Sequence, residues 1–178
     1  MRAGDAEAMW GLLSASTQRR ERSLESFRRA GAPRLEKALR PFTQGPFRLV
    51  VSEAITGRFG VVGVVRGRRA YAVPLRLDRG EWKVELPGPL TIEVLGPRPG
   101  SRGAVAQIGV EVHGGGTEGD AVLYADGVTL LSKVYTGPRS ATVFANLASR
   151  LTPGLHNAVA FATRGGNAAA IGWTFVAQ

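Results

Sequence analysis

The stretch Leu151–Phe175, LTPGLHNAVAFATRGGNAAAIGWTF, carries one formal charge, Arg164, besides the titratable His156. Val159 and Phe161 alternate before Gly165–Gly166, and Ile171, Trp173 and Phe175 alternate after them. Period-two apolar spacing on both sides of a tight turn predicts an antiparallel hairpin. The segment RGGN (164–167) is its turn, and the five alternating side chains are expected to point inward together. No helical period competes with this reading.

Working outward, the chain from Leu90 onward reads the same way. LTIEVLG, AVAQIGVEVHG, DAVLYADG, VTLLSKVYTG and SATVFANLA are further strand-like runs, with turn signals every ten or so residues. That spacing predicts a β-sandwich. LPGPL (86–90) is a stiff joint, because each proline fixes its own φ and restricts the residue before it. Before the joint, FRLVVSEAIT, FGVVGVVRG, RAYAVPLRLD and EWKVEL predict four consecutive antiparallel strands. Tyr71, Val73, Leu75 and Leu77 should share one face with Trp82, Val84 and Leu86. Arg76, Glu81, Lys83 and Glu85 should share a wet one.

The first 45 residues read as helical. Asp5 is placed to cap a helix whose face is Ala6, Met9, Trp10 and Leu13. SLESFRRAG starts at a Ser23 cap, pairs Leu24 with Phe27 and should stop at Gly31. PRLEKALRPF starts at Pro33 and sets Leu35 and Leu39 one turn apart. The change near 87–90 sets the expected boundary: residues 1–87 form an α+β unit and residues 88–178 an all-β unit.

Composition bounds function. Apolar residues make up 44% of the 178, and no run approaches the ~20 residues of a membrane-spanning helix. The opening MRAGDAEAMW lacks the basic patch and apolar stretch of a secretory leader. There is no cysteine, which excludes disulfides, thiolate metal sites and a cysteine nucleophile. Net charge is +9: residues 1–89 hold 17 Lys/Arg against 9 Asp/Glu, residues 90–178 only 6 against 5. All but three of the basic residues are arginine. The arginines are scattered (RRER, RGRR) and lack interleaved aromatics, which argues against nucleic acid. An acidic polymer, an anionic membrane surface or an acidic protein is the expected partner.

The helices followed by four strands ending in GEWKVEL resemble the nuclear-transport-factor-2-like superfamily, through GDAEAMWGLL (4–13) and YAVPLRLDRGEWKVEL (71–86). The resemblance implies an α+β cone, a curved sheet wrapped round its helices, lacking here the family's first helix. A neighbouring chain could supply that helix, making residues 4–45 a homodimer surface. It also implies an extracytoplasmic home, as a secreted protein or lipoprotein. The second half resembles bacterial immunoglobulin-like domains, through ADGVTLL (125–131), LTPGLH (151–156) and WTF (173–175). In such sandwiches a polar ring after a Leu-x-Pro-Gly turn bonds back to the corner backbone. His156 is therefore expected to be structural, one residue earlier than the usual tyrosine.

Few residues suggest chemistry. HGGGTEGD gathers His113, Glu118 and Asp120, the weak candidates for a divalent-cation loop. HGGG also occurs as an oxyanion loop, but no G-x-S-x-G accompanies it. Glu53 is the one acid expected on an apolar strand face, with Phe47, Leu49, Val51 and Ile55. With Tyr71 as a hydrogen-bond donor it is the weak candidate for an isomerase- or dehydratase-like acid/base site in the cone. The GR and GRR segments open no helix and are not phosphate cradles. Trp10, Trp82 and Trp173 read as core, and Tyr124 as the aromatic nearest the surface. These features predict a non-enzymatic binding protein with no cofactor. Its cone would bind a small apolar ligand or acidic partner, and its sandwich would serve as spacer or adhesion module.

Overall fold

The computed structural model describes residues 3–137, 139–147, 149 and 151–178. Helices come first: α1 (Ala3–Leu12), α2 (Ala15–Glu21), α3 (Leu24–Ser26), a π-turn (Phe27–Gly31) and α4 (Ala32–Thr43). Twelve strands follow among the described residues. They are β1 (Arg48–Thr56), β2 (Phe59–Arg66), β3 (Arg69–Asp78), β4 (Glu81–Val84), β5 (Thr91–Gly96) and β6 (Arg102–Gly103). After these come β7 (Gln107–His113), β8 (Glu118–Ala125), β9 (Val128–Thr136), β10 (Ser140–Asn146), β11 (Gly154–Arg164) and β12 (Asn167–Ala177). They form three sheets, in the orders β1-β2-β3-β4, β10-β7-β5 and β6-β12-β11-β8-β9.

The last two sheets face each other as an immunoglobulin-like β-sandwich. Its core joins Ile108, Val110, Val112 and Val143 to Leu123, Ala160, Trp173 and Phe175. The hairpin of β11 and β12 turns at Gly165–Gly166, both with the positive φ that a two-residue hairpin turn requires. The five alternating side chains do not share a face, however. Ile171, Trp173 and Phe175 enter the sandwich core, together with Ala158, Ala160 and Ala162 of β11. Val159 and Phe161 point the other way. Both alternations of β11 are apolar because the strand is buried on both faces.

What covers the second face is the sheet β1–β4. Val51, Phe59 and Val61 meet Val122, Tyr124, Val159, Phe161 and Ala168 in a second buried cluster. The expected α+β cone is therefore not formed: the first sheet lies flat on the sandwich as a third β layer instead of curling round the helices. This corrects the nuclear-transport-factor-2-like resemblance as well. Its motifs are a helix (α1) and a strand-turn-strand signal (β3–β4), which many folds with helices beside an antiparallel meander share. The sheet also lacks the expected wet face. Gly63, Ala70, Ala72 and Pro74 face the sandwich, and their small size permits close approach. At Gly172 an added Cβ would lie 2.7 Å from the backbone of Tyr71.

The helices gather their apolar residues on one another and on the end of β4. Leu13, Phe27, Ala32, Leu35 and Leu86 form a third buried cluster, bordered by Met9, Trp10, Leu24, Leu39 and Val84. Leu13 bridges to Val84. Asp5 falls within the first turn of α1 rather than ahead of it. Ser23 caps α3 as expected, accepting from the Ser26 N–H at 3.1 Å. Gly31 does not stop the helix. The π-turn carries α3 into α4 because Pro33 has no N–H to give and a wider turn accommodates the missing bond. Gly31 is needed there for close packing, since an added Cβ would lie 2.3 Å from Cδ2 of Phe27.

Candidate functional site

Where the helices, the proline joint and the sandwich meet, a buried polar clamp borders an apolar cleft. Glu85 does not lie on a wet face: it is 1% exposed. Regular pairing ends at Val84, so strand alternation no longer governs the next residue, and Glu85 turns into the helical layer. Its carboxylate accepts from the Ser14 hydroxyl and, at 2.9 Å, from Nη1 of Arg20. Ser14 caps α2 by accepting from the Thr17 N–H at 3.0 Å. Arg20 also donates to the Leu86 carbonyl at 2.6 Å, and the Thr17 hydroxyl accepts from the Leu86 N–H at 3.1 Å. Every polar group in the clamp is matched, the condition under which a buried charge is tolerable.

Beside the clamp lies a cleft of about 220 Å³ between Ala38 of α4, Pro74, Leu86, Leu90, Ile92 and Ile171. Its size suits one apolar side chain and falls below the roughly 300 Å³ of a typical small-molecule pocket. α4, which lines it through Ala38, belongs to a basic helical layer: residues 15–43 hold eight Lys/Arg against three Asp/Glu. Arg34, one turn before Ala38 on α4, forms an ion pair with Glu21 at 2.9 Å. Arg19, Arg22, Arg28, Lys37 and Arg40 are exposed.

Glu53 and Tyr71 are not brought together. Glu53 pairs with Val61, whereas Tyr71 pairs with Val64; residues three apart on β2 point to opposite faces. Glu53 faces the sandwich, is exposed, and accepts from the Tyr124 hydroxyl at 2.7 Å. Tyr124 is 1% exposed, not superficial as its sequence context suggests, because the third β layer covers it. Burial and then the Glu53 carboxylate hold its hydroxyl far above the usual tyrosine range. The register shift between Leu49 and Val51 breaks the expected apolar face and leaves Leu49 54% exposed, while Phe47, ahead of β1, is 47% exposed. Trp82, expected in the core, is 43% exposed on the edge strand β4.

His113, Glu118 and Asp120 separate too. His113 ends β7 in the three-stranded sheet, while Glu118 and Asp120 lie on β8 in the five-stranded sheet. Asp120 accepts from the Thr163 hydroxyl at 2.9 Å. The glycines of HGGGTEGD instead admit Arg164: an added Cβ on Gly116 would lie 2.9 Å from its Cγ. Arg164 is 1% exposed, donates to the Gly114 carbonyl at 3.0 Å and stacks its guanidinium over Tyr135.

His156 bonds back to the corner, with Nε2 2.7 Å from the Thr152 carbonyl oxygen. Its Nδ1 lies 2.6 Å from Asp126, whose other oxygen accepts from the backbone and side-chain N–H groups of Asn157. The ring stacks on Phe175. Burial pulls its pKa down, but the Asp126 and Thr152 oxygens outweigh burial and leave it raised.

No protein-family model and no curated protein matches this sequence. The solved structures that resemble it include two at 20% identity. One is the CARDB domain of the PF1109 protein from Pyrococcus furiosus, in complex with di-metal ions. It is 20% identical, covers 50% of this chain and 94% of its own, and has a TM-score of 0.34. The other is an engineered protein, 20% identical with a TM-score of 0.36, covering 51% of this chain and 21% of its own.

Proposed function

We propose that the chain is a non-enzymatic binding module that docks an acidic partner across its helical layer. One apolar side chain of that partner sits in the Ala38 cleft. The observation that carries the reading is the juxtaposition of this side-chain-sized apolar cleft with a helix layer holding eight basic residues against three acidic ones. An apolar anchor inside a charged rim is the usual arrangement of a docking hot spot, and the rim's charge steers the encounter. The exposed position of Glu53, and its separation from Tyr71, favour binding over an isomerase- or dehydratase-like reaction. The sandwich acts as spacer or adhesion module. We assign the module to the outside of a bacterial cell, secreted or lipid-anchored, on its immunoglobulin-like character; recovery of the native protein from the cytoplasmic fraction would refute that assignment.

The docking test compares two polyglutamate-flanked peptides, one with a central phenylalanine and one with alanine there. Tight binding of the phenylalanine peptide, weakened by salt and by Ala38→Trp, is expected. Equal binding of both peptides, or binding indifferent to salt and to Lys37→Glu with Arg40→Glu, would overturn the reading.

A further inference from the structure

The outer face of the three-stranded sheet collects a different set of groups. Glu93 of β5 pairs directly with Glu111 of β7, and His113 lies two residues further on the same face of β7. Their ligand atoms, one from each side chain, all lie within 4.8 Å of one another. Nε2 of His113 is 3.6 Å from an oxygen of Glu93 and 3.7 Å from one of Glu111.

Two features of this trio point to a cation. Like charges directly opposite on antiparallel strands repel, so the Glu93–Glu111 pair costs stability unless something neutralises it. His113 does not do so by hydrogen bonding, because 3.6 Å and 3.7 Å exceed the roughly 2.7–2.9 Å of a charge-assisted bond. The separations instead approach the edge of a ligand tetrahedron, about 3.4 Å for metal–nitrogen and metal–oxygen bonds near 2.1 Å.

We propose that Glu93, Glu111 and His113 bind one divalent transition-metal ion of the zinc class. An imidazole with two carboxylates suits zinc, cobalt or nickel. Calcium and magnesium prefer six or more oxygens, which these residues do not supply. The ligands stand on paired strands whose inner side chains, Ile92, Val94, Val110 and Val112, are packed in the sandwich core, so the backbone positions are fixed. The hydroxyls of Thr91, Ser140 and Thr142 occupy neighbouring register positions on the same face. Glu93 is 69% exposed, so the remaining coordination positions open to solvent and accept water or a ligand from another molecule. The site is separate from the cleft beside Ala38, and its test is independent of the docking test.

The experiment uses the untagged full chain, stripped of metal by chelator and titrated with cobalt chloride while visible absorption is recorded. A ligand-field band saturating at one ion per chain is expected, with displacement by zinc. Glu111→Gln and His113→Ala should each weaken binding at least tenfold. Both replace residues on the solvent face, and circular dichroism verifies that the fold is kept. If His113→Ala does not fold, Glu111→Gln, which keeps the side-chain shape, decides alone. Glu118→Gln and Asp120→Asn should leave the band unchanged. Absence of saturable binding by cobalt and zinc overturns the site. So does binding that survives Glu111→Gln, or that is lost only with Glu118 and Asp120.

Discussion

Both ring nitrogens of His156 face oxygen acceptors, the Asp126 carboxylate and the Thr152 carbonyl. Only the imidazolium donates to both; a neutral ring leaves one lone pair against an oxygen. The folded pKa therefore stands above its ordinary 6.5, burial opposing the shift and the two oxygens overriding it. For a group raised in this way, the stabilisation is complete below about pH 6.5 and disappears as pH climbs through the folded value. The melting temperature should accordingly fall on going from pH 6 to pH 9 by more than in His156→Gln, in which that step is flattened. Equal pH profiles for the two proteins would mean that the corner does not depend on the charged ring. The structural role of this histidine was legible from LTPGLH alone, since the turn fixes where the ring must reach. The burial of Tyr124 was not legible. It stands two residues before the turn at Asp126–Gly127, and what covers it is β1–β2, some seventy residues away.

At the scale of elements, most strands followed from period, while the helix limits at Asp5 and Gly31, the Ser14-capped α2 and the packing partners did not. A strand such as β11, apolar at both alternations, already signals two covered faces, yet nothing local names the second cover. The helix continuing through Gly31 is similar. Glycine two residues before Pro33 reads as a stop, and only Phe27 packed against it reveals otherwise. Gly31→Ala tests this directly. In an ordinary helix it stabilises by up to about 1 kcal/mol. Here the new methyl meets the fully buried ring of Phe27, so a loss of roughly 2 kcal/mol is expected in urea unfolding. A gain would show that the π-turn relaxes freely. Arg20→Met tests the clamp: it leaves the 1% exposed Glu85 without its cation at a cost of about 3 kcal/mol. Arg20 itself is 29% exposed, which places the cost at the lower end of the range for buried pairs. Hydrogen exchange should then quicken first in α2, the helix that the clamp ties to the joint.

For the whole molecule, the change of composition at LPGPL falls between β4 and β5, but the second buried cluster draws side chains from both sides of it. Val122, Tyr124, Val159 and Phe161 are each at most 2% exposed, and their cover comes from residues before the joint. Stripping that cover uncovers four large side chains at about 1.5–3 kcal/mol each. Even as an upper estimate, the total is comparable to the roughly 5–15 kcal/mol that hold a domain folded. Residues 88–178 produced alone should therefore bind a hydrophobic dye and self-associate in light scattering, although the sandwich core within them is complete. A monomeric, dye-free fragment with the full chain's unfolding midpoint would show that the third layer adds nothing to the sandwich. Gly172→Val makes the same test without cutting the chain. Its side chain must enter where even a Cβ lies 2.7 Å from the Tyr71 backbone, so the layers have to separate. Dye binding should rise in that variant too, while the sandwich unfolds in a step of its own.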